Sequence, residues 1–513
     1  MAKTPLLICR TDRTPLMTHI AGKLRDMGVV DKACALLAYY EQWRNFLGSQ
    51  QYIPIAKTYT LNDVFKAIPE TSLDQSRLDA LEARYGLTSL RNLLYTDSLL
   101  APHAHSKHIT RSYYSEEEKL KYLVACFEYF ERMLDESGAD FILDIAHVGT
   151  FRTVLDRIAA IRGIPYVYPF NSLLGDQGGD FYRINTRTLE AYQDVRQHYE
   201  HLLEHADKVK EGWEYLRRFR ETDQKSIYHF FLEAATPGDI LPRPRNVKKH
   251  WKAIKKEWRL RKQAKKSPEI RYNFQLHKGY WSTKQKRGLI KLVRGTYANH
   301  FVKMEPGPFQ FPYVFMTLHM QPEATTSLFA PYSTDQATVV ECLARAVPLG
   351  WKVVVKPNSI MRGVDTIHFF KRLSKIPNVV ITRYDAPTKS LLQEAKAVFT
   401  ISGTSGLEGA LLGKPVFLMA THGVIWHVIR DVRIFTGWND VHAEFVRLGD
   451  WKPDDASLAA YLQAVHDTSF HMSLDYIWQG HHDLKNQDYS SALDTVSRAI
   501  ADKLETDKPA TKG

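Results

Sequence analysis

The run Ala397-Val-Phe-Thr-Ile-Ser402-Gly403-Thr404-Ser405-Gly406-Leu-Glu408-Gly409-Ala-Leu-Leu-Gly413-Lys414-Pro415-Val-Phe-Leu418 decides the fold. Ala397 to Ser402 is short and apolar, which predicts a buried strand. Small hydroxyl-bearing residues follow, and Leu407 to Leu412 then predicts a helix. Gly413-Lys414-Pro415 ends it, and Pro415 to Met419 predicts the next strand. Strand, tight loop, helix and strand in this cadence make a β-α-β unit with parallel strands. A helix that starts directly after such a loop offers free amide hydrogens and the positive end of its dipole, a seat for phosphate. Gly403 and Gly406 let backbone approach a ligand closely. Ser402, Thr404 and Ser405 can donate hydroxyl hydrogen bonds. Glu408 is placed in the first helical turn, where it can accept from ribose hydroxyls. The competing reading is that a Ser or Thr caps the helix and Glu408 completes a capping box.

The same alternation extends outward from this run. Tyr313 to Met316, Trp351 to Lys356 and Val379 to Thr382 predict strands, with helices over Thr334 to Val347 and around Ser390 to Glu394. Towards the N-terminus, Leu6 to Cys9 predicts a strand followed by a helix from about Met17 to Gly28. Phe141 to Ile145 predicts a buried strand, His147 to Thr150 a turn, and Phe151 to Ile161 a helix ended by Gly163 and Pro165. Tyr166 to Tyr168 begins the next strand, and Asn171 to Asp180, with three glycines, reads as a loop at a strand end. The predicted architecture is α/β: two Rossmann-like domains facing a cleft, with a helical, basic segment between them. The expected limits are 1–185 for the first domain, 186–310 for the basic segment and 311–484 for the second domain. A C-terminal helix is expected over 485–505, and a polar, disordered tail over 506–513.

Composition narrows the function. A chain of 513 residues, 44% of them hydrophobic, is long enough for two cored domains. Cys9, Cys34, Cys126 and Cys342 are scattered without a CxxC pair, which argues against a disulfide framework or a zinc site. No run of about 18 apolar residues occurs, and the apolar patch near the start is too short for a signal peptide. A cytoplasmic location is expected. The net charge of +12 is concentrated: residues 243–303 carry 20 Lys and Arg against Glu257 and Glu269, and the rest of the chain has a small acidic excess. Trp251, Trp258, Tyr272, Tyr280 and Trp281 interleave with these cations. Such a mixture suits anionic lipid head groups, so 243–303 is expected to meet a membrane surface peripherally. Its competing reading is a solvated helical face. No nucleic-acid module is visible, and no nucleic-acid partner is expected.

The 397–418 run resembles the donor-binding unit of GT-B glycosyltransferases and of non-hydrolysing sugar-nucleotide epimerases. The wider stretch Phe311 to Met419 is similar to bacterial capsule or surface polysaccharide biosynthesis proteins, a family that contains Kdo transferases of GT-B type. It includes Leu318-His319-Met320-Gln321-Pro322-Glu323-Ala324-Thr325-Thr326 and Val353-Val354-Val355-Lys356-Pro357. The resemblance implies that Ser402 to Gly406 hold donor phosphates and that Glu408 holds the ribose. Lys356 stands where members often carry His before Pro, and as a point charge it can neutralise a phosphate. His319 and Glu323 would move a proton or hold the sugar, with Gln321 as a hydrogen-bond partner. In the first domain Asp144 or His147 would act as acceptor base. The His147-Val-Gly-Thr turn resembles the His-Gly-Asp-type turn of the epimerases but lacks its acid. Arg10, Asp12, Arg13, Asn171 and Ser172 would contact the acceptor, and Arg362 and Asp365 would reach the donor. For each loop the alternative is polar groups that satisfy their own backbone, and for Asp144 a structural carboxylate.

The implied function is transfer of a sugar from a CMP- or UDP-linked donor to a glycan or glycolipid in capsule or surface polysaccharide synthesis. The nucleotide sugar would be a substrate, with no cofactor and no bound metal. Two alternatives stand beside it: a sugar-nucleotide epimerase or hydrolase on the same scaffold, and a non-catalytic glycan- or lipid-binding protein of capsule assembly or export.

Overall fold

Two sheets, each begun at its centre and extended outward by crossovers, organise the chain. The computed structural model describes residues 2–506 except 11–12, 39–45, 48–51, 98–99, 101–113, 146–148, 177–178, 187–191, 223–254, 256–257, 261, 264, 274–280, 322–323, 421–422, 436, 439–440 and 473–482. The first sheet contains β1 (Pro5–Cys9), β2 (Ala33–Leu37), β3 (Ile55–Thr60), β4 (Phe141–Leu143), β5 (Tyr166–Asp176) and β6 (Gly179–Asn185). Its order is β6-β5-β4-β1-β2-β3, parallel from β5 to β3. β1, β2 and β4 are buried along their whole length, as strands covered on both faces must be. The pleat sorts them. Leu6 and Ile8 face a core with the helices Glu116–Ser137 and Thr150–Arg162, while Leu7 and Cys9 face one with Thr14–Asp26. Helix ends follow local chemistry: Ser115 and Glu118 form a capping box, and Gly138 and Gly163 close two helices in the left-handed conformation.

The second sheet contains β7 (Tyr313–Thr317), β8 (Lys352–Lys356), β9 (Val379–Ile381), β10 (Ala397–Thr400), β11 (Val416–Leu418) and β12 (Val432–Ile434). Its order is β12-β11-β10-β7-β8-β9, parallel throughout. Both orders are Rossmann orders, so the expected pair of Rossmann-like α/β units is present. In each sheet the chain reverses its direction of spread at one place, between β1 and β4 and between β7 and β10. Ligands of open α/β sheets bind beyond the strand ends at such a switch point.

Three expectations change. The loop expected over 171–180 is a hairpin: β5 continues to Asp176 and pairs antiparallel with β6, with Gly175 opposite Asp180 and Asp176 opposite Gly179. Gly175 and Gly179 are thus paired strand residues instead of loop residues. Next, the chain returns to the first domain at its end. β13 (Phe470–Met472), expected in the second domain, adds antiparallel to the outer edge of β6, and the helix Gln487–Thr506 packs on Thr14–Asp26. Finally, the helices Gln193–Leu203 and Lys210–Glu221, expected as part of an inter-domain segment, join the core of the second domain against Asp455–Asp467. Gly212 allows that contact, because a Cβ there would lie 2.0 Å from the Ala459 carbonyl oxygen. Further along, Pro268–Arg271 rests on the first domain, with Arg271 paired to Glu118 at 2.6 Å.

Candidate functional site

The second switch point brings together the ends of β7 and β10. The loop after β10 is pinned by Thr400, whose Oγ1 accepts the Gly403 amide at 2.8 Å and lies 3.5 Å from His319 Nε2. Thr317, at the end of β7, shares a hydrogen bond with the Ser405 hydroxyl at 2.6 Å. Gly403 is the N-cap of the helix Thr404–Leu411, and no side chain caps it. The capping-box alternative therefore does not form. Among the described residues no acceptor meets the amides of Thr404 and Ser405. A helix start left open in this way favours an anion.

Both glycines of the turn are required by the protein itself. A Cβ on Gly403 would lie 2.9 Å from His319 Cε1. One on Gly406 would lie 2.4 Å from the buried Trp426 ring and 2.8 Å from Thr400 Cγ2. Ser402, Ser405 and Glu408 are buried. Since the helix begins at Thr404, its first turn contains no acid and Glu408 falls in the second turn, deeper than the sequence suggested. There its carboxylate acts on Lys356. Burial pushes the Lys356 amine below its ordinary value, and the charges of Glu408 and Asp385 oppose that shift. Among the described residues the Lys356 ammonium makes no hydrogen bond or ion pair, and Lys356 pairs across the sheet with Thr317, which bonds Ser405 in the first turn of the open helix.

His319 is held by Gln336, which accepts its amide at 2.6 Å and donates to its carbonyl at 3.1 Å. Burial pushes the imidazole down to about 4, so it is neutral at pH 7. A neutral ring can orient a ligand, but it does not supply a proton at that pH. His319 favours its neutral form in the fold, so its contribution to stability is present above the unfolded value near 6.5 and is lost as pH falls through about 4. His319→Gln is expected to remove about 2 kcal/mol of this acid-side loss, read as a flatter urea midpoint between pH 7 and pH 4.

Other expected donor contacts lie elsewhere. Gln321 donates to the Thr334 carbonyl at 2.6 Å. Arg362 donates to Asn299 at 3.2 Å and lies over the Tyr384 ring. Burial pushes Asp365 up to about 7, against the pull of Arg294. Glu323 lies outside the described residues.

At the first switch point Asp144 is fully committed. Arg152 grips it through Nε at 2.6 Å and Nη2 at 3.0 Å, the Tyr166 hydroxyl donates at 2.8 Å, and the Ile145 amide donates at 2.7 Å. A fully buried carboxylate with these donors has no lone pair turned towards an acceptor, so the structural alternative describes it better than the role of base. His147 lies outside the described residues, as does Asp12. Arg10 and Arg13 flank the end of β1 and are linked by a backbone hydrogen bond of 3.1 Å. Asn171 and Ser172 are drawn into the hairpin instead of towards a ligand. Asn171 accepts from the Leu173 amide at 2.7 Å and donates to Asp180 at 3.0 Å, and the buried Ser172 bonds Ser469 at 2.9 Å.

A hydrogen bond links the regions that follow the two switch points. Thr150, which opens the helix after β4, donates to the Leu93 carbonyl at 3.0 Å, placing the helix Leu90–Tyr95 beside the first one. From that helix Asn92 donates to the Tyr332 hydroxyl at 3.0 Å, in the region that follows β7. Thr317, Thr400 and Gln336 were not singled out in the sequence. Their only signal is a polar residue at the end of an otherwise apolar strand or the start of a helix.

Residues 253–433 match the family model of capsule polysaccharide biosynthesis proteins. This matched segment is about a third of the chain and contains β7 to β11 with the Ser402–Glu408 turn. The resemblance read from Phe311 to Met419 holds there. No curated protein matches the chain. Among solved structures it is similar to the β-Kdo 2,4-transferase of KpsC from Thermosulfurimonas dismutans, at 14% identity over 63% of this chain and 79% of that one, with a TM-score of 0.29. The β-Kdo 2,7-transferase of the same protein gives 9% identity over 76% and 98%, with a TM-score of 0.32. The UDP-GlcNAc 2-epimerase of Neisseria meningitidis, bound to UDP-GlcNAc, gives 13% identity over 98% and 100%, with a TM-score of 0.28. Likenesses this loose transfer no residue role to the matched segment. Its fold rests on the strand order, and its chemistry on the open helix start.

Proposed function

We propose that the protein is a GT-B-type glycosyltransferase of capsule or surface polysaccharide synthesis. It would move a sugar from a CMP- or UDP-linked donor, bound at the second switch point, to a glycan or glycolipid held by the first domain. The observation that carries this reading is the uncapped helix start at Thr404, with Lys356 across the sheet from Thr317 and Glu408 one turn below. The amides of Thr404 and Ser405 and the Lys356 ammonium would receive the donor phosphate, and Glu408 a ribose hydroxyl. As the acceptor hydroxyl bonds to the anomeric carbon, the bond from that carbon to the phosphate oxygen breaks. The same donors stabilise the charge that develops there. With Asp144 committed to Arg152, and with burial disfavouring the protonated ring of His319 and so making it a weak base, the acceptor proton is left to Glu323 or His147. The nucleotide sugar is a substrate in this scheme, and neither cofactor nor metal is invoked. We place the protein in the cytoplasm, peripheral to the inner membrane through 243–303. Among the described residues no helix is long and apolar enough to cross a membrane.

Thermal shift against CMP, UDP, CDP and GDP tests the reading. One nucleotide at a hundred times its Kd should stabilise the protein by about 2.7 kcal/mol by mass action, and Glu408→Ala should reduce the shift. A flat response to all four would overturn it. Donor turnover that needs no acceptor would move the assignment to an epimerase or hydrolase.

A further inference from the structure

We propose that the outward face of the helix Trp281–Phe301 is a docking surface for an anionic lipid bilayer. This deepens the membrane part of the reading above and rests on that reading for its purpose, though not for its geometry.

The inward face of this helix is fully used. Ala298 and, just beyond the helix, Val302 are buried in the core of the second domain. Arg294 donates to the Val364 carbonyl at 2.6 Å. The backbone at Lys291 comes so close to Gly363 that a Cβ there would lie 2.5 Å from the Lys291 carbonyl oxygen. The opposite face is unlike an ordinary protein surface. Leu289 is 64% exposed, Val293 52% and Phe301 74%. They fall at i, i+4 and i+12, and Tyr297 at i+8 stacks on Phe301 with ring centroids 5.5 Å apart. Tyr297 itself is partly buried against the second-domain core, and Leu289, Val293 and Phe301 stay exposed along the helix, whereas large apolar side chains normally turn inward.

Charge says what covers this line. Besides the inward-facing Arg294, the helix carries Lys284, Lys286, Arg287 and Lys291, and no Asp or Glu occurs between Glu269 and Glu305. An apolar line on a wholly cationic helix suits the head-group boundary, where aliphatic and aromatic groups enter the acyl region and cations meet lipid phosphates. Nucleic acid would use the cations but has no place for Leu289 and Val293. The helix is too polar to span a bilayer, so it would lie on one. Its inward face meets the loop that follows Lys356: Arg362 from that loop donates to Asn299 at 3.2 Å. A docked helix would thus hold the donor lysine close to the lipid surface.

Flotation of the full chain with phosphatidylglycerol-containing vesicles, against pure phosphatidylcholine vesicles, tests the proposal. The wild type should float with the anionic vesicles only, and less as salt rises. Leu289→Ser/Val293→Ser/Phe301→Ser should weaken binding by about tenfold or more, with an unchanged thermal midpoint because the three side chains are exposed. Lys286→Glu/Arg287→Glu should weaken it through charge alone. Wild type that stays at the bottom, or a triple variant that floats like wild type, would overturn the surface. So would wild type that binds duplex DNA or tRNA and ignores vesicles. The nucleotide thermal shift should persist in the triple variant. Its absence from the wild type would count against the transferase reading and leave flotation untouched.

Discussion

Asp144→Ala should cost the first domain about 3–5 kcal/mol of stability, the usual result of stripping one partner from a buried ion pair. Asp144 and Arg152 are both essentially inaccessible to water, and the guanidinium makes two hydrogen bonds to the carboxylate. In the variant that guanidinium stays buried with its charge uncompensated, and the Tyr166 hydroxyl and Ile145 amide lose their acceptor. Asp144→Asn keeps the shape but removes the charge, so it should fall close to the alanine variant. The double change Asp144→Leu/Arg152→Met should recover much of the loss, since an apolar pair of similar volume avoids desolvating two ions. Urea unfolding followed by circular dichroism reads all four proteins. An alanine variant as stable as wild type would show that the pair is open to solvent and would return Asp144 to the list of acceptor bases.

Lys356→Ala should weaken binding of CMP or UDP by roughly 10- to 100-fold, the range for losing one charge-assisted hydrogen bond. Cytidine and uridine, which lack phosphate, should bind the variant and the wild type alike. That contrast separates a phosphate contact from general damage, and isothermal titration measures both. Without nucleotide the variant should be no less stable than wild type, because the substitution removes a cation that burial already disfavours. Equal losses for nucleoside and nucleotide would show that Lys356 only shapes the pocket.

The sequence was most readable where neighbours in the chain are also neighbours in space. β7, β8 and β10 fall within two residues of their expected limits because each is an apolar run bounded by Gly, Pro or polar residues. Ser402 to Ser405 needed only the strand before them and the helix after them. β2 escaped notice because Ala33-Cys34-Ala35-Leu36-Leu37 has no alternation and reads equally well as helix. β3 is a half-exposed edge with Lys57 and Thr58, and β13 finds its partner nearly three hundred residues earlier. The depth of Glu408 was misjudged because the helix starts at Thr404 instead of Leu407, three residues earlier, enough to move it from one turn to the next. Thr317 and Thr400 act through the contact of β7 with β10, which strand order creates and local pattern does not display. For Asp144 the deciding facts are Arg152, in the first turn of the helix that follows, and Tyr166, on the next strand. Neither is visible from the strand that carries the acid.

The edge formed by β6 and β13 has a mechanical consequence. β6 leads into Gln193–Leu203, and Asp455–Asp467 leads into β13, so two adjacent strands of one sheet continue into two helices packed on each other in the other half. Asp194, at the start of the first helix, is tied back by Arg183 from β6 and by Lys503 from the last helix. Two chain passages at one border, between β6 and Gln193–Leu203 and between Asp455–Asp467 and β13, would favour swinging about that border over twisting or sliding. A swing of this kind would bring the Asn92–Tyr332 edge together or apart, admitting substrate and then shutting out water without disturbing either sheet.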